Sequence, residues 1–147
     1  MGVLTAAELL TPDQRAQVQE AVRRAEARTS GEIRVHLDDV ISEHVLDHAA
    51  FVFTELGMHR TRARNGVLIY VSVADRQAAV IGDAGIHARV PVGFWDAVLD
   101  ALRSAFRTGR YAEGLCDAVA EVGRKLEAFF PPRADDRDEL PNDLSIG

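Results

Sequence analysis

Residues 65–85, NGVLIYVSVADRQAAVIGDAG, decide the fold of this 147-residue chain. Residues 67–71 form a continuous apolar run, which is typical of a central strand covered on both faces. Asp75 and Arg76 predict a turn, after which residues 77–81 return as an antiparallel strand. The stretch therefore predicts a buried β-hairpin at the centre of an α/β domain.

Helix and strand patterns surround the hairpin. Thr11, Pro12 and Gln14 supply a capping residue, a proline suited to the first helical position and a Thr-x-x-Gln capping box, so a helix begins there. Apolar and polar residues alternate over residues 32–37, which predicts a strand with one apolar face. Helical periodicity predicts three further helices, at residues 43–56, 94–107 and 111–129.

This order of elements predicts an α/β fold. The sheet is expected to be mixed, with mostly three to four strands and helices packed on both faces, as in an α/β/α sandwich. A helix joins the first two strands, so they are expected to be parallel with a right-handed crossover. We expect residues 1–132 to form one domain and residues 133–147, charged and poor in apolar side chains, to form a disordered tail.

Composition and charge narrow the expected partners and location. The net charge of −6 gives no general attraction to nucleic acid. The apolar runs are too short to span a bilayer, and the first ten residues lack the pattern of a signal peptide. The single Cys116 cannot form an internal disulfide. We therefore expect a cytoplasmic protein without nucleic-acid or membrane partners.

Chemically capable side chains lie in loops at the two ends of the predicted strands. We name the end that follows the first two strands the first rim, and the opposite end the second rim. The first rim carries Asp38, Asp39, Asp75 and Arg76. The second rim carries Glu32, Asn65, Asp83 and a basic loop with Arg60, Arg62 and Arg64.

The second rim is the richer of the two in chemistry. Asp83, Asn65 and Glu32 provide oxygen ligands of the type that Ca²⁺ or Mg²⁺ needs, which predicts a metal site there. In that site Asp83 and Glu32 are the candidate catalytic groups. The basic loop predicts a site for a phosphate or carboxylate. Helix capping and turn formation account for the same residues without a ligand.

The first rim offers an alternative metal site formed by Asp38, Asp39 and Asp75. Open α/β sheets usually bind ligands at the ends that follow parallel strands, although Asp75 also suits a turn. His44 and His48 lie four residues apart on a predicted helix, but the residue after His44 is not the Glu that the zinc-protease signature requires.

Several short motifs share one order and spacing with a known family. They are residues 29–32 (TSGE), 64–69 (RNGVLI), 74–76 (ADR), 82–86 (GDAGI) and 110–115 (RYAEGL). Together they resemble the TPM domain family over about residues 4–130, and the chain looks like a stand-alone bacterial member related to the thylakoid proteins of that family.

The resemblance implies an α/β sandwich and two activities. Plant thylakoid members are linked to photosystem repair and credited with acid phosphatase activity, and some bacterial members bind calcium in acidic surface loops. Many relatives place one or two Asp before the Asn-Gly pair, where this chain has Ala63 and Arg64. That departure removes acidic groups from the second rim and adds a positive one.

Three functions follow from these patterns. No nucleophile, base and orienting group occur together in a known arrangement, which favours a binding or scaffold module with an unnamed protein partner and a metal or anion site on a rim. The alternative is a metal-assisted acid phosphatase that acts on phosphate esters. A third hypothesis is a regulatory domain that binds a small anion through the basic loop.

Overall fold

The sheet has four strands in a computed structural model that describes residues 4–133 and 144–147. The strands are β1 (Glu32–Asp38), β2 (Gly66–Ser72), β3 (Gln77–Gly82) and β4 (Leu144–Ile146), and their order in the sheet is β3-β2-β1-β4. β1 pairs in parallel with β2 and with β4, and β2 pairs antiparallel with β3. The parallel crossover between β1 and β2 and the β2–β3 hairpin are therefore confirmed.

Helices cover both faces of this sheet, which confirms the α/β sandwich. The helices are α1 (Ala6–Leu9), α2 (Pro12–Glu26), α3 (Val45–Glu55), α4 (Ala84–His87), α5 (Asp96–Arg107) and α6 (Tyr111–Glu127), with a 3-10 turn at Met58–Arg60. The larger core lies between one face and helices α2, α5 and α6. The smaller core lies between the other face and helix α3. Among the described residues, none of these helices combines the length and the apolar character that crossing a membrane requires.

Strand alternation separates the two cores. Ile33, Val35 and Leu37 of β1 lie in the larger core. The intervening polar residues of β1 face the side covered by α3, where Leu68 and Tyr70 of β2 are packed. The polar side chains are themselves buried, so they must find partners inside the protein. This alternation places the titratable groups of β1 on one face of the sheet.

Two capping boxes fix the start of the chain. Thr11 and Gln14 form the predicted box at the start of α2. Thr5 and Glu8 form a second box that starts α1, a helix that the apolar pattern alone does not predict. The carboxylate of Asp39 accepts a hydrogen bond of 2.6 Å from the Ala6 N–H, which attaches this N-terminal segment to the first rim.

The last four residues of the chain differ from the prediction. Residues 144–146 form β4 on the outer edge of β1, so the expected disorder is wrong for this segment. Leu144 and Ile146 pack against the larger core, and strand pairing satisfies backbone groups that an open edge would leave exposed. Residues 134–143 of the predicted tail lie outside the described residues, and the domain boundary at residue 132 stays a prediction.

The two ends of the hairpin meet, as the sequence predicts. The Asp83 N–H donates to the Gly66 carbonyl at 3.0 Å, and the Gly85 N–H donates to the Arg64 carbonyl at 2.9 Å. The approach at Gly85 is very close, because a Cβ there would overlap the Ala63 carbonyl oxygen and lie 2.7 Å from that of Arg64. Only glycine therefore allows the start of α4 to reach the loop before β2.

We expect Gly85→Ala to destabilise the domain by about 2 kcal/mol, because the added methyl group meets rigid backbone atoms. Urea unfolding followed by circular dichroism measures the change. Ala84→Ser is the matched control at the preceding exposed position and should change the unfolding free energy by about 0.5 kcal/mol or less. Equal effects of the two substitutions would contradict the close approach.

Candidate functional site

Arg64 and Asp83 form a two-bond ion pair on the second rim. The Arg64 Nε and Nη2 atoms donate to the two carboxylate oxygens of Asp83, each at 2.8 Å. Asp83 Oδ1 also accepts from the Ala84 N–H at 2.7 Å, at the start of α4. The carboxylate thus joins the loop before β2 to the helix after β3. A metal ion at this carboxylate would have to compete with the guanidinium for both oxygens.

The ion pair sets the protonation of Asp83. Burial by itself raises the pKa of this carboxyl, but the hydrogen bonds from Arg64 and Ala84 and the nearby positive charge outweigh it and hold the pKa below its usual value. The Asp83 side chain is 5% exposed and the Arg64 side chain 51% exposed, so solvent screens the pair from one side. Asp83 therefore acts as a charged structural anchor.

Glu32 and Asn65 reach the same rim, as predicted. Both are buried, and the Glu32 N–H donates to the Asn65 carbonyl at 3.3 Å. The Asn65 side-chain amide donates to the Ser30 carbonyl at 3.3 Å, and the Asn65 N–H donates to the Thr61 hydroxyl at 3.1 Å. These contacts connect the loops before β1 and β2. Glu32 and Asn65 thus meet through their backbones, and within the described part of the chain the Asn65 side-chain oxygen is buried without a hydrogen-bond partner.

The three arginines of the basic loop have different surroundings. Arg64 has a left-handed backbone with φ 51° and directs its guanidinium to Asp83. Arg60 is exposed at the end of the 3-10 turn, and Arg62 is exposed in the following loop. The positive charge of Arg64 is therefore already neutralised by the Asp83 carboxylate, and the predicted anion site stays a prediction.

A second cluster of polar side chains surrounds Asp38 on the first rim. The Tyr70 hydroxyl donates to Asp38 Oδ2 at 2.7 Å, and His36 Nε2 lies 3.0 Å from Asp38 Oδ1. His48 Nε2 lies 3.4 Å from Asp38 Oδ2, and His48 Nδ1 lies 2.6 Å from Glu43 Oε1. We name these five residues the Asp38 cluster.

Tyr70 acts as a neutral donor in the Asp38 cluster. Burial, the hydrogen bond to Asp38 and the negative charges of Asp38, Asp75 and Glu43 all raise the pKa of its hydroxyl far above the ordinary value. Its ring also lies parallel to that of His36, with ring centres 6.0 Å apart. The hydroxyl proton therefore stays on Tyr70 and fixes one oxygen of Asp38.

The other two carboxylates of the first rim have separate structural partners. Asp75 Oδ2 accepts from the Ser72 hydroxyl at 2.5 Å and from the Ile41 N–H at 2.8 Å. These bonds hold the pKa of Asp75 below its usual value. Asp39 binds the N-terminal segment, as described above. Across residues 4–133 and 144–147, no group of three or more His, Cys, Asp or Glu side chains is placed to hold a metal ion. The metal sites on both rims stay predictions.

Sequence reasoning found Asp38 but missed its partners. His36 and Asp38 are two residues apart on one strand, which places both on one face, and His36 is paired with Tyr70 in the β1–β2 register. The His-x-Asp pattern at the end of β1 is the sequence signal that indicates contact between His36 and Asp38. His48 comes from α3, and its place beside Asp38 depends on how that helix packs.

Exposed apolar side chains lie beside this cluster. Val40, Leu46 and Phe51 are 64%, 51% and 56% exposed, and the Phe51 ring centre lies 5.9 Å from that of His48. We name residues 40–51 the α3 segment. Between residues 38 and 55 the chain has five carboxylates and no Lys or Arg. The first rim therefore combines apolar exposure with negative charge.

Comparisons with known proteins agree with this fold. The TPM domain family model matches residues 3–125. The NMR structure of BA42 from the psychrophilic bacterium Bizionia argentinensis is 43% identical, covers 94% of this chain and 95% of its own, and gives a TM-score of 0.87. The N-terminal domain of a protein from P. gingivalis is 23% identical, with coverage of 84% and 80% and a TM-score of 0.70, and shows the fold alone. The comparison with curated proteins gave no match.

We expect the Arg64–Asp83 pair to make stability depend on pH. The pKa of Asp83 is lower in the folded state than in the unfolded state, so the charged carboxylate contributes to the free energy of unfolding. This contribution is fully present above the unfolded-state pKa of about 3.9 and disappears as the pH falls through the folded-state value. Asp83→Asn should therefore unfold at lower urea than the wild-type protein near neutral pH. The difference should shrink as the pH falls below about 4.

Urea midpoints at several pH values test this expectation. Asp100→Asn is the matched control, because Asp100 is a mostly exposed aspartate at 4.0 Å from Arg103. That control should follow the wild-type protein at every pH. A constant difference between Asp83→Asn and wild type across the acid range would show that the charge of Asp83 does not matter.

Proposed function

The chain belongs to the TPM domain family, and within that family we propose that it is a protein-binding module that docks a partner on the α3 segment beside the Asp38 cluster. The observation that carries the proposal is the exposure of Val40, Leu46 and Phe51 within one short segment. Apolar side chains in such a position cost free energy in water, and covering them with a partner recovers it.

The distribution of these side chains supports a binding surface. Five large hydrophobic residues are more than one third exposed among the described residues, and three of them belong to the α3 segment. Phe51 is the natural anchor, since aromatic residues are enriched among the side chains that dominate interface affinity. Charged and polar groups surround it, as in the polar rim of a typical interface.

The charge of this surface indicates the kind of partner. The carboxylates of Asp38, Asp39, Glu43, Asp47 and Glu55 share the region with no Lys or Arg of their own segment. A partner surface with Lys or Arg around an apolar centre is complementary to it. Such pairs speed association and favour the correct partner, and they weaken with added salt.

The second rim supports a structural interpretation of the residues predicted to be catalytic. Both oxygens of Asp83 bind Arg64, and Asp83 also caps α4. A general base needs a lone pair directed at substrate, and a metal ligand needs one directed at the ion. Three hydrogen bonds occupy most of the acceptor sites of Asp83, and its side chain is buried, so binding fits the geometry better than metal-assisted phosphatase chemistry.

We expect Phe51→Ser to weaken partner binding by about tenfold or more, because truncation of an aromatic anchor typically has that effect. Affinity capture from a lysate of the source organism measures this loss. The wild-type protein, Phe51→Ser and a control variant serve as baits, and mass spectrometry quantifies the captured proteins. Val92→Ser is the matched control, because Val92 is fully exposed outside the α3 segment.

The informative set consists of proteins that the wild-type protein and Val92→Ser retain and Phe51→Ser loses. Capture of these proteins should also fall between low and high salt. Circular dichroism must show the same fold for all three proteins. If Phe51→Ser retains every protein that the wild type captures, the α3 segment is not the docking surface.

Hydrolysis of phosphate esters is the second candidate function, and the Asp38 cluster is the observation that favours it. Asp38 is partly exposed at the carboxyl ends of parallel strands and lies within 3.4 Å of two imidazoles. Histidine and carboxylate groups in contact are the usual partners in general acid–base catalysis. This candidate places the reaction on the first rim.

Turnover of p-nitrophenyl phosphate with Ca²⁺ or Mg²⁺, from about pH 5 to 8, tests this candidate. Catalysis on the first rim predicts that Asp38→Asn lowers kcat/KM about a hundredfold or more, while Asp83→Asn leaves it nearly unchanged. The opposite result would support the metal-assisted site of Asp83 and Glu32. Absence of turnover in the wild-type protein would remove the phosphatase candidate and leave the binding module.

A further inference from the structure

We propose that the outer edge of β1 is a docking site for an extended peptide of another protein, and that β4 is the chain's own occupant of that site. The peptide adds in parallel to Val35, His36 and Leu37, and carries the pattern apolar–hydroxyl–apolar–glycine. This site lies on a strand edge and does not use the exposed apolar side chains of the α3 segment.

Main-chain pairing defines the site. Leu144, Ser145 and Ile146 stand opposite Val35, His36 and Leu37 in the β1–β4 register. The Gly147 N–H then donates to the Leu37 carbonyl at 2.9 Å. Addition of a strand to a sheet edge is a common mode of peptide recognition, in which backbone bonds provide affinity and alternate side chains provide specificity.

Side chains of β4 show which peptides the edge accepts. Leu144 and Ile146 are half-buried against the larger core, so apolar residues are required at these two positions. The Ser145 hydroxyl lies 2.6 Å from His36 Nδ1 on the other face. A small hydroxyl residue at the middle position therefore completes the hydrogen bonds of His36, whose other nitrogen contacts Asp38.

Glycine is required at the fourth position of the pattern. A Cβ at Gly147 would overlap Asp38 Oδ1 and lie 2.9 Å from His36 Nε2. Both atoms belong to the hydrogen-bonded Asp38 cluster, so they cannot retreat without losing contacts. The Asp38 cluster therefore acts as a steric check on the residue that follows the added strand.

The rest of the β1 edge is closed in a different way. The Ile33 N–H donates to Glu26 Oε2 at 2.8 Å, so a side chain of α2 occupies the edge immediately before the β4 pairing. Native proteins commonly protect strand edges with side chains or short strands. Along the β1 edge, a short strand covers Val35–Leu37, so the docking site is limited to these few residues.

The short length of β4 makes its replacement feasible. With three residues, β4 is shorter than most strands, so it contributes few hydrogen bonds to the sheet. The chain's own segment competes at an effective concentration of the order of millimolar, because it is tethered to the same chain. An external peptide must therefore bind more tightly than β4 or be present at a higher concentration, or the pairing of β4 with β1 must be weakened first.

A synthetic peptide tests the proposal in the full chain. The peptide is acetylated and amidated and carries the sequence DLSIG of residues 143–147. The host variant is Ser145→Pro, because proline removes both the backbone donor and the hydroxyl that binds His36. Two-dimensional NMR of the isotope-labelled protein follows the amides of Val35, His36 and Leu37 during titration.

We expect the peptide to bind Ser145→Pro at least about tenfold more tightly than the wild-type chain, because the tethered competitor is removed. Ser145→Thr keeps a hydroxyl and should behave like the wild type. A second peptide with valine in place of the glycine should not bind. Ile146→Asp provides an independent release of β4 and should give the same gain as Ser145→Pro.

Three results would overturn the proposal. The first is the absence of peptide-induced shifts at Val35–Leu37 in both released variants. The second is equal binding of the glycine and valine peptides. The third is a concentration-dependent dimer of the wild-type chain that exchanges β4 between copies and excludes the peptide, since the occupant would then be a second copy.

Discussion

Seven consecutive residues of β1 pair in parallel with seven of β2, and this pairing positions everything else. The register places the apolar residues of β1 in one core and its polar residues beside α3. It also brings His36 next to Tyr70, and the end of β1 next to the end of β2. A shift by one residue would reverse both faces of β1 and bury the wrong side chains. The first rim and the second rim are therefore consequences of one register.

The two rims use carboxylates in different ways. Asp83 is held by a cation and a helix N-terminus, which stabilise its charge, and its side chain is buried. Asp38 is held by a neutral phenol and by imidazoles, and it remains partly exposed. A carboxylate thus has a structural role on the second rim, whereas on the first rim a carboxylate is partly accessible to solvent. The difference explains why the sequence favours the second rim and the geometry favours the first.

The sequence predicts the hairpin, the crossover and the contact between Asn65-Gly66 and Asp83-Gly85, because each depends on local patterns and one handedness rule. The Asp38 cluster depends on the packing of α3 against β2, which places His48 beside a strand residue ten positions earlier. No local pattern contains that information. β4 was missed because three alternating residues after a charged stretch resemble many disordered tails. The start of α1 was predictable, since Thr5 and Glu8 form a capping box that the apolar pattern does not reveal.

The close approach at Gly85 constrains how the domain can vary during evolution. The Arg64 carbonyl bonds to the Gly85 N–H while the Arg64 side chain holds Asp83, so backbone and side chain fix the same point of the loop. An insertion or deletion between the 3-10 turn and β2 would disturb both contacts at once. The side chains of the exposed Arg60 and Arg62 make neither of these two contacts. These two contacts therefore constrain the length of the basic loop more than its chemistry.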